Sequence, residues 1–472
     1  MTSRRMESPV RLPEHRREAR RVLLGDRAEP VLAIAWAEAG SLAGEAASVV
    51  EAPSAGEAES GPYAAVLWSV EGDGPSPEEL GRVRGLLEDR GRLILRLVLR
   101  RALGSSGGPE EAARALRRLV RLLSEAGFLV LREVDPGELG GPVVVARRDE
   151  FVVRPYREED DEPIRALFEE CFPHARRPPE HWRWKYHRNP WGNRLISLAT
   201  APEGDLAVHY AGYPLPFWCR GRELTALHMG DTMSARVYQR VGRGSSSLLA
   251  RTVRHFFATH RGGPYSFYFG FNTGPIQRFC RWFIGGSRVE PVAYRRRDAP
   301  GSAGWSARGY RIARATAAGG AWDRLFRRAA PAYAFLVRRD REYVRWRYLD
   351  CPDTAFTVLE ARRLRRLVGW GVFRREGGSL LWGDALVDPA HPGAAEALLA
   401  GALRQPDLAG AEVVEAWFPP RPEWWHRELV RLGLDLGPHP QGLGLMLLPD
   451  REGEVRLPLE TLYYAMGDGD LF

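Results

Sequence analysis

Residues 239–260 read QRVGRGSSSLLARTVRHFFATH, a turn with two glycines that leads into a segment with helical spacing. Glycine adopts left-handed dihedrals and lets a ligand approach the backbone closely. The first N–H groups of a helix carry partial positive charge. Gly242 and Gly244 therefore predict a cradle for a pyrophosphate. The helix is expected to bury Leu248, Leu249, Val253, Phe256 and Phe257.

The segments before this loop alternate in a regular order. Residues 151–154 predict a strand, and the acidic stretch after them opens a helix whose carboxylates suit its N-terminus. Three further strands are expected at 194–200, 205–219 and 223–234. The glycine loop thus follows a strand and precedes a helix, in the order β-α-β-β-β-α of an α/β (α+β) fold.

The loop fits the signature Q/R-x-x-G-x-G/A, and in this the chain resembles the GNAT acetyltransferase superfamily. Residues 230–233 (GDTM), 269–272 (FGFN) and the tail 463–472 (YYAMGDGDLF) resemble the Eis-like type of these proteins. The resemblance covers 151–472. It implies a GNAT fold that uses acetyl-CoA or another acyl-CoA. The implied cofactor-binding residues are Met233, Ser234, Gln239, Arg240, Val241, Gly242, Arg243, Gly244, Ser245 and Asn272.

Acyl transfer to an amine needs a base and donors for the tetrahedral oxyanion. In this fold the base projects from the strand before the loop, where Asp231 and His228 stand. Alternation along a strand places the two on opposite faces, and the resemblance favours Asp231. An Asp at a strand end also often caps a turn, so a structural role for Asp231 stays open. The oxyanion donor is expected to be a backbone N–H of Met233 or Ser234.

The acid for the departing thiolate is harder to assign. The resemblance implies a Tyr on the helix at 274–286, which reads GPIQRFCRWFIGG and has none. Cys280 or Arg281 stands near the expected position, and Tyr268 on the preceding strand is expected to pack. Either the thiolate leaves without a dedicated acid, or the acyl acceptor is of a different kind.

The end of the sequence offers further candidates. The Eis-like resemblance implies a C-terminal carboxylate as a second candidate base, and Phe472 supplies it here. Asp468 and Asp470 give the tail negative charge suited to holding an ammonium group. The implied activity is transfer of an acetyl or other acyl group to the primary amine of a small molecule, such as an amino sugar or an amino acid.

A second copy of the pattern follows the first. HWRWKYHRNP at 181–190 and YVRWRYLDCP at 343–352 place Trp184 and Trp346 at matching positions. We expect these two tryptophans to be core anchors of one structural element used twice. His181 and Trp182 occur only in the copy with the glycine loop, which makes them candidates for substrate contact.

The second copy differs at the loop. Residues 383–385 (GDA) repeat 230–232, but PAHPGA at 389–394 stands in place of QRVGRG. Proline has no N–H to donate, so this copy is expected to keep the fold without a pyrophosphate site. We therefore predict a GNAT domain at 151–298, a linker at 299–309, a degenerate GNAT domain at 310–450 and a tail at 451–472.

Residues 1–150 alternate strand and helix, which predicts a parallel, doubly wound sheet of the Rossmann-like kind. One helix is expected to end at Gly91. Over 25–148 the pattern resembles the C-terminal half of an S-adenosylmethionine-dependent methyltransferase. Because 21–40 lacks the glycine-rich turn of that family, we expect a non-catalytic relic used for docking or assembly. A methyltransferase with an aberrant loop is the alternative.

Composition limits the remaining classes. Hydrophobic residues make up 44% of the 472 residues. No apolar run is long enough for a membrane span. The four cysteines lack metal-ligand spacing, so no metal and a reducing cytoplasm are expected. The net charge of +8 is dispersed, and the aromatic–basic segments are expected not to bind nucleic acid. A homo-oligomer stays open. A non-catalytic scaffold or regulatory protein is the alternative to an enzyme.

Overall fold

The computed structural model describes residues 31–34, 49–52, 63–71, 75–98, 109–134, 143–175, 177–239, 241–242, 244, 247–283, 288–299, 305–450, 459–470 and 472. The chain divides into two compact units. The first consists of Met1–Val153, Ala199–Val208 and Ser234–Thr252, and the second of Arg154–Leu198, His209–Met233 and Val253–Phe472. None of the described helices combines the length and the apolar character that crossing a bilayer requires.

The N-terminal part of the first unit is a six-stranded mixed sheet with the order β2-β1-β3-β4-β6-β5. Four strands are parallel, but β6 pairs antiparallel with both β4 and β5, so the predicted all-parallel sheet is wrong in this part. The elements are β1 (Val31–Ile34), β2 (Val49–Ala52), β3 (Tyr63–Glu71), α1 (Pro77–Leu86), β4 (Leu87–Val98), α2 (Pro109–Glu125), β5 (Phe128–Val134) and β6 (Val143–Arg148).

Helix α1 shows how local signals set these boundaries. Ser76 and Glu79 form a capping box at its start. It ends at Leu86 rather than at Gly91, because Leu87 already has an extended backbone and pairs with Tyr63 of β3. The core between helices and sheet contains Val66, Trp68, Leu80, Val83, Leu86, Leu93, Leu119 and Leu123.

The first repeat has the predicted order of elements. The short helix α4 continues directly into a π-helical turn at Arg183–His187. The elements are β7 (Val152–Pro155), α3 (Asp161–Cys171), α4 (Pro179–Trp182), β8 (Leu195–Thr200), β9 (Leu206–Cys219), β10 (Arg222–Ser234), α5 (Leu248–His260), β11 (Phe267–Asn272), α6 (Gly274–Phe283) and β12 (Arg288–Pro291).

The second repeat follows the same plan, and its short helix α8 also continues into a π-helical turn, at Arg345–Leu349. The elements are β13 (Ala293–Asp298), β14 (Arg311–Arg314), α7 (Gly320–Tyr333), β15 (Phe335–Val337), α8 (Arg341–Val344), β16 (Thr357–Arg363), β17 (Arg366–Glu376), β18 (Ser379–Val387), α9 (Ala394–Ala402), β19 (Val413–Ala416), α10 (Glu423–Arg431), β20 (Asp435–Pro438), β21 (Gly444–Pro449) and β22 (Leu462–Tyr463).

The two repeats exchange strands. One sheet runs β12-β21-β11-β10-β9-β15-β22, with β8 pairing β9 and β7, and the other runs β14-β16-β17-β18-β19-β13-β20. Strand β13 precedes the predicted linker yet pairs with β19 and β20 of the second repeat. Strand β21 follows the predicted linker yet pairs with β11 and β12 of the first repeat. Each of these two sheets therefore contains strands from both sides of the predicted linker. The predicted domain boundaries stay predictions.

The two π-helical turns meet through their tryptophans. The indole rings of Trp184 and Trp346 stack with centroids 4.9 Å apart and an interplanar angle of 19°. Trp184 Nε1 donates to the carbonyl of Trp346 at 2.7 Å, and Trp346 Nε1 donates to the carbonyl of Trp184 at 3.3 Å. Both side chains are buried, so each indole N–H finds its acceptor on the other repeat.

This reciprocity predicts energetic coupling between the two tryptophans. Trp184→Phe and Trp346→Phe should each lower the free energy of unfolding by about 1–3 kcal/mol, since each removes a buried hydrogen bond. The double variant should deviate from additivity by at least about 0.5 kcal/mol in urea denaturation. As a control, Trp184→Phe and Trp322→Phe should be additive, because Trp322 Nε1 bonds to Glu360 instead. Additivity in both pairs would contradict the coupling.

Candidate functional site

The predicted pyrophosphate loop belongs to the first unit. Gly242 and Gly244 have φ values of 74° and 54°, the left-handed dihedrals that the sequence predicts. The loop is tied to the start of α5, because Leu248 N donates to Val241 O at 3.0 Å. Exposed Gln239 donates to the carbonyl of Ser234 at 3.2 Å. The predicted loop residues Arg240, Arg243 and Ser245 lie outside the described residues.

The corresponding loop of the second repeat is built differently. His391 N donates to Asp388 O at 2.7 Å, and Ala394 N donates to His391 O at 3.0 Å. Ala390 N donates to the Asp388 carboxylate at 3.1 Å. Gly393 before α9 has a φ of −60°, an ordinary right-handed value. The second loop therefore differs from the first in its glycine backbone, and its lack of a cradle stays a prediction.

Asp231 lies in a buried cluster of the second unit. Its Oδ2 accepts hydrogen bonds from Lys185 Nζ at 2.7 Å and from Tyr186 OH at 2.8 Å, both on the π-helical turn of the first repeat. Arg177 Nη1 lies 3.8 Å from its Oδ1. Burial opposes ionisation, but Lys185 and Arg177 outweigh it and hold the pKa of Asp231 well below its usual range.

The expectation that His228 and Asp231 lie on opposite strand faces is wrong. Asp231 has a φ of 49°, which breaks the alternation of β10. Gly230 shares a face with His228, and a Cβ at Gly230 would lie 3.3 Å from the Lys185 Nζ that binds Asp231. His228 itself is fully buried against Tyr213, and neither of its ring nitrogens has a hydrogen-bond partner within the described part of the chain. Burial lowers the pKa of His228 to about 4.

The tail reaches this cluster. Asp470 Oδ2 lies 3.1 Å from Lys185 Nζ, and its main-chain oxygen accepts from Arg177 at 2.8 Å. Burial raises the pKa of Asp470, but Lys185 outweighs it and the net shift is downward. Phe472 is buried, and its main-chain oxygen accepts from Arg347 Nη2 at 2.8 Å. The predicted site residues Asp231, His228 and Phe472 therefore surround tail residue Asp470 and its lysine.

A cavity of about 210 Å³ opens beside the cluster, within the second unit. The stacked tryptophans Trp184 and Trp346 form part of its wall, together with Tyr213. Its volume lies below the roughly 300–1,000 Å³ of pockets for drug-sized ligands, so it suits a small molecule. The charged and titratable side chains that line it include His181, Lys185, Arg347, Arg374, Asp353 and Asp470.

His181 lines this cavity, and its hydrogen bonds fix its tautomer. Arg177 can only donate, so its contact with His181 Nε2 at 3.0 Å makes that nitrogen the acceptor. Nδ1 then carries the proton and donates to Asp353 Oδ1 at 2.8 Å. Burial lowers the pKa of His181, and Arg177 lowers it further. His181, Asp353 and Cys351 together offer three atoms of the kinds that bind metals. The Arg177 guanidinium, which contacts His181, opposes a bound cation there.

The other predicted residues lie apart from the cavity lining. Trp182 stacks on Tyr186 with centroids 4.3 Å apart and donates to Asp161 at 2.8 Å, which is a packing role. Met233 is buried, and half-buried Asn272 ends β11. Tyr268 packs as expected, with its hydroxyl 2.6 Å from Asp450. Burial raises the pKa of the Cys280 thiol to about 12, which makes it a poor acid near neutral pH.

The second repeat contains the same cluster in closed form. Asp384 accepts from Arg339 at 2.8 Å and from Tyr348 at 2.6 Å, as Asp231 does from Tyr186. Arg339 also binds the tail residue Asp468 at 2.5 Å. The Phe472 ring packs so closely on Gly383 that an added Cβ would lie 1.8 Å from it. The tail therefore fills the space beside Asp384, whereas a cavity lined by both repeats stays open beside the Asp231 cluster.

Sequence reasoning missed the cations of the site. Lys185 is the single lysine of the chain, among 68 lysines and arginines, and it is 2% exposed. One lysine at a repeat position where the other copy has Arg347 was the signal that could have found it. Arg177 and Arg339 also occupy matching positions before the two tryptophan segments. Arg374 gave no sequence signal of its own.

Solved structures to which the chain is similar include GCN5-related N-acetyltransferases from Kribbella flavida (16% identity, TM-score 0.46) and Anabaena variabilis (13%, 0.47). The former match covers 63% of this chain and 70% of that chain, the latter 64% and 73%. Saccharomyces cerevisiae N-myristoyltransferase with bound myristoyl-CoA is similar at 11% identity and a TM-score of 0.40, over 63% and 78%.

No family model matches the chain, and no match was found among curated proteins. The similarities to solved structures do not confirm the Eis-like type or the methyltransferase-like N-terminal domain. At these identities and TM-scores they assign neither a family nor an activity to this chain.

Asp384 and Asp231 should contribute differently to stability between pH 5 and pH 8. Burial raises the pKa of Asp384 to about 6, with Asp468 adding to the shift and Arg339 opposing it. A carboxyl with a raised folded-state pKa stabilises at low pH and loses that contribution as the pH rises through it. From pH 5 to pH 8, the stability difference between wild type and Asp384→Asn should fall by about 1 kcal/mol in urea titrations.

Asp231→Asn is the control for this measurement. The lowered pKa of Asp231 keeps it ionised in the folded state throughout that range, and its unfolded form is ionised there too. The difference between wild type and Asp231→Asn should therefore stay constant from pH 5 to pH 8. A constant difference for Asp384→Asn, or one that grows with pH, would contradict the assignment.

Proposed function

We propose that the chain is an N-acyltransferase that moves an acetyl or other acyl group from coenzyme A to the primary amine of a small molecule. The observation that carries this proposal is the loop at Gly242 and Gly244. Two left-handed glycines stand before a 13-residue helix, and glycine at such positions lets an anion such as the pyrophosphate of coenzyme A approach the backbone closely. Gln239 and Val241 complete the described part of that loop.

The cavity of the second unit is the proposed acceptor site. Acyl-CoA supplies the thioester carbon that the amine attacks; the N–C bond forms and the C–S bond breaks. We assign Asp470 as the base that takes the amine proton, because it lines the cavity. Its Oδ2 binds Lys185, which leaves Oδ1 for the amine.

Asp231 then serves as a positioning residue rather than as the base. Its carboxylate is already bound by Lys185 and Tyr186, with Arg177 beside it, and unlike Asp470 it does not line the cavity. It holds Lys185, and Lys185 in turn holds Asp470. Buried His228 does not line the cavity either, and its pKa near 4 makes it a weak base at neutral pH.

The N-terminal part of the chain has no assigned chemistry in this proposal. We infer a non-catalytic docking or assembly role for residues 1–150, because the segment at 21–40 lacks a glycine-rich turn. A cytoplasmic location and a possible homo-oligomer belong to the same proposal, as does the Eis-like tandem arrangement.

Replacing a loop glycine should abolish cofactor binding without unfolding the protein. Gly244 is exposed and an added Cβ would meet no atom within 4 Å, but its φ of 54° strains any β-branched side chain. Gly244→Val should raise the Kd for acetyl-CoA at least 10-fold in isothermal titration calorimetry, because the N–H groups turn away from the anion.

Gly309→Val is the matched control. Gly309 is also exposed, has a φ of 83° and has equal free space, but it lies outside the loop. It should lose similar stability and keep wild-type affinity for acetyl-CoA. Acyl transfer that survives Gly244→Val would refute the loop assignment. Wild-type protein that binds no acetyl-CoA at millimolar concentration would instead favour a non-catalytic scaffold.

A further inference from the structure

The cavity carries more cationic than acidic side chains. Arg177, Lys185, Arg347 and Arg374 line it, against Asp353 and Asp470. Two of these cations are engaged by the carboxylates of Asp231 and Asp470. Lys185 binds both Asp231 and Asp470, and Arg177 lies beside Asp231. The remaining two guanidinium groups decide what else the cavity can hold.

Arg347 occupies the position of Lys185 in the second repeat but has different partners. It is 5% exposed and donates to the main-chain oxygens of Gly467 and Gly469, both at 2.9 Å, and of Phe472. Among the described residues, no carboxylate side chain forms an ion pair with it. Arg339 takes the two nearby carboxylates, Asp384 and Asp468. Arg347 therefore lines the cavity with a guanidinium group whose described hydrogen-bond acceptors are main-chain oxygens of the tail.

Arg374 adds a second incompletely satisfied guanidinium. Its Nη2 pairs with Glu376 at 2.8 Å, but Glu376 is 69% exposed, so this pair is weak. Its Nε is buried, and no atom of the described residues accepts a hydrogen bond from it. A buried N–H that lacks an acceptor is unfavourable. Arg374 lines the cavity, so an oxygen of a ligand bound there is a candidate acceptor for its guanidinium group. Planar guanidinium groups bind carboxylate and phosphate oxygens through paired hydrogen bonds.

We infer that the acceptor carries an anionic group besides its amine, and that Arg347 and Arg374 bind this group while Asp470 faces the amine. This inference rests on the proposed N-acyltransferase function and narrows its substrate class to small amino acids or amino-sugar phosphates. The carboxylate and the phosphate share the chemistry that the two arginines recognise. The cavity volume limits both to small molecules.

Matched pairs of probes test the inference. Release of the coenzyme A thiol from acetyl-CoA is measured with two kinds of pair. The first pairs each of the twenty free amino acids with its α-amide, and the second pairs glucosamine 6-phosphate with glucosamine, which lacks the phosphate. The anionic member of a pair should be used at least 10-fold more efficiently in kcat/KM. Preference within the amino acid pairs identifies a carboxylate, and preference within the sugar pair a phosphate.

Variants assign the preference to the arginines. Arg374→Gln should raise KM for the anionic acceptor at least 10-fold, leave KM for acetyl-CoA unchanged and abolish the preference within the pair. Arg365→Gln, an exposed arginine outside the cavity, should match wild type. If Arg374→Gln fails to fold by circular dichroism, Arg374→Lys carries the same test, since it keeps the charge and loses the planar fork.

Two kinds of failure are distinguishable. Equal use of both members of each pair, or a preference that persists in the Arg374 variant, overturns the inference. The inference is also overturned if calorimetry shows that acetyl-CoA binds but no probe is turned over. In that case the proposed function still stands. Absence of acetyl-CoA binding overturns the proposed function, and the inference fails with it.

Discussion

The reciprocal pairing of Trp184 and Trp346 is the constraint on which the second unit depends. A buried indole N–H needs an acceptor, and each of the two finds it on the carbonyl of the other tryptophan. The residues that follow them, Lys185 and Arg347, consequently line the same cavity from the two repeats. A duplicated segment thereby forms one site, to which each copy contributes a different cation.

The two copies have diverged around a shared set of side chains. Two cations surround Asp231, and its pKa is lowered; one arginine is shared between Asp384 and Asp468, and burial raises the pKa of Asp384. The tail accounts for the difference in access, because the Phe472 ring covers Gly383 in the second copy. The cavity opens beside the Asp231 cluster, and residues of both copies line it. Left-handed glycines occur in the loop of the first copy, whereas Gly393 in the loop of the second has an ordinary right-handed φ.

Sequence patterns predicted what depends on neighbouring residues. Periodicity predicted the order of helices and strands along the first repeat. The chemistry of glycine and proline predicted the left-handed glycines and the altered second loop. The contacts that build the cavity join residues far apart in the chain, such as Lys185 with Asp470 and Trp184 with Trp346. Periodicity carries no information about such pairs, nor about the exchange of β13 and β21. Alternation failed at Asp231 because a single left-handed residue breaks the pleat.

The central claim is that one repeat keeps a coenzyme A loop while the other has lost it. Calorimetric titration of the full chain with acetyl-CoA measures this most directly through its stoichiometry. The account predicts one acetyl-CoA bound per chain. Two bound per chain would show that the loop at 389–394 is competent, and none would contradict the assignment of the glycine loop.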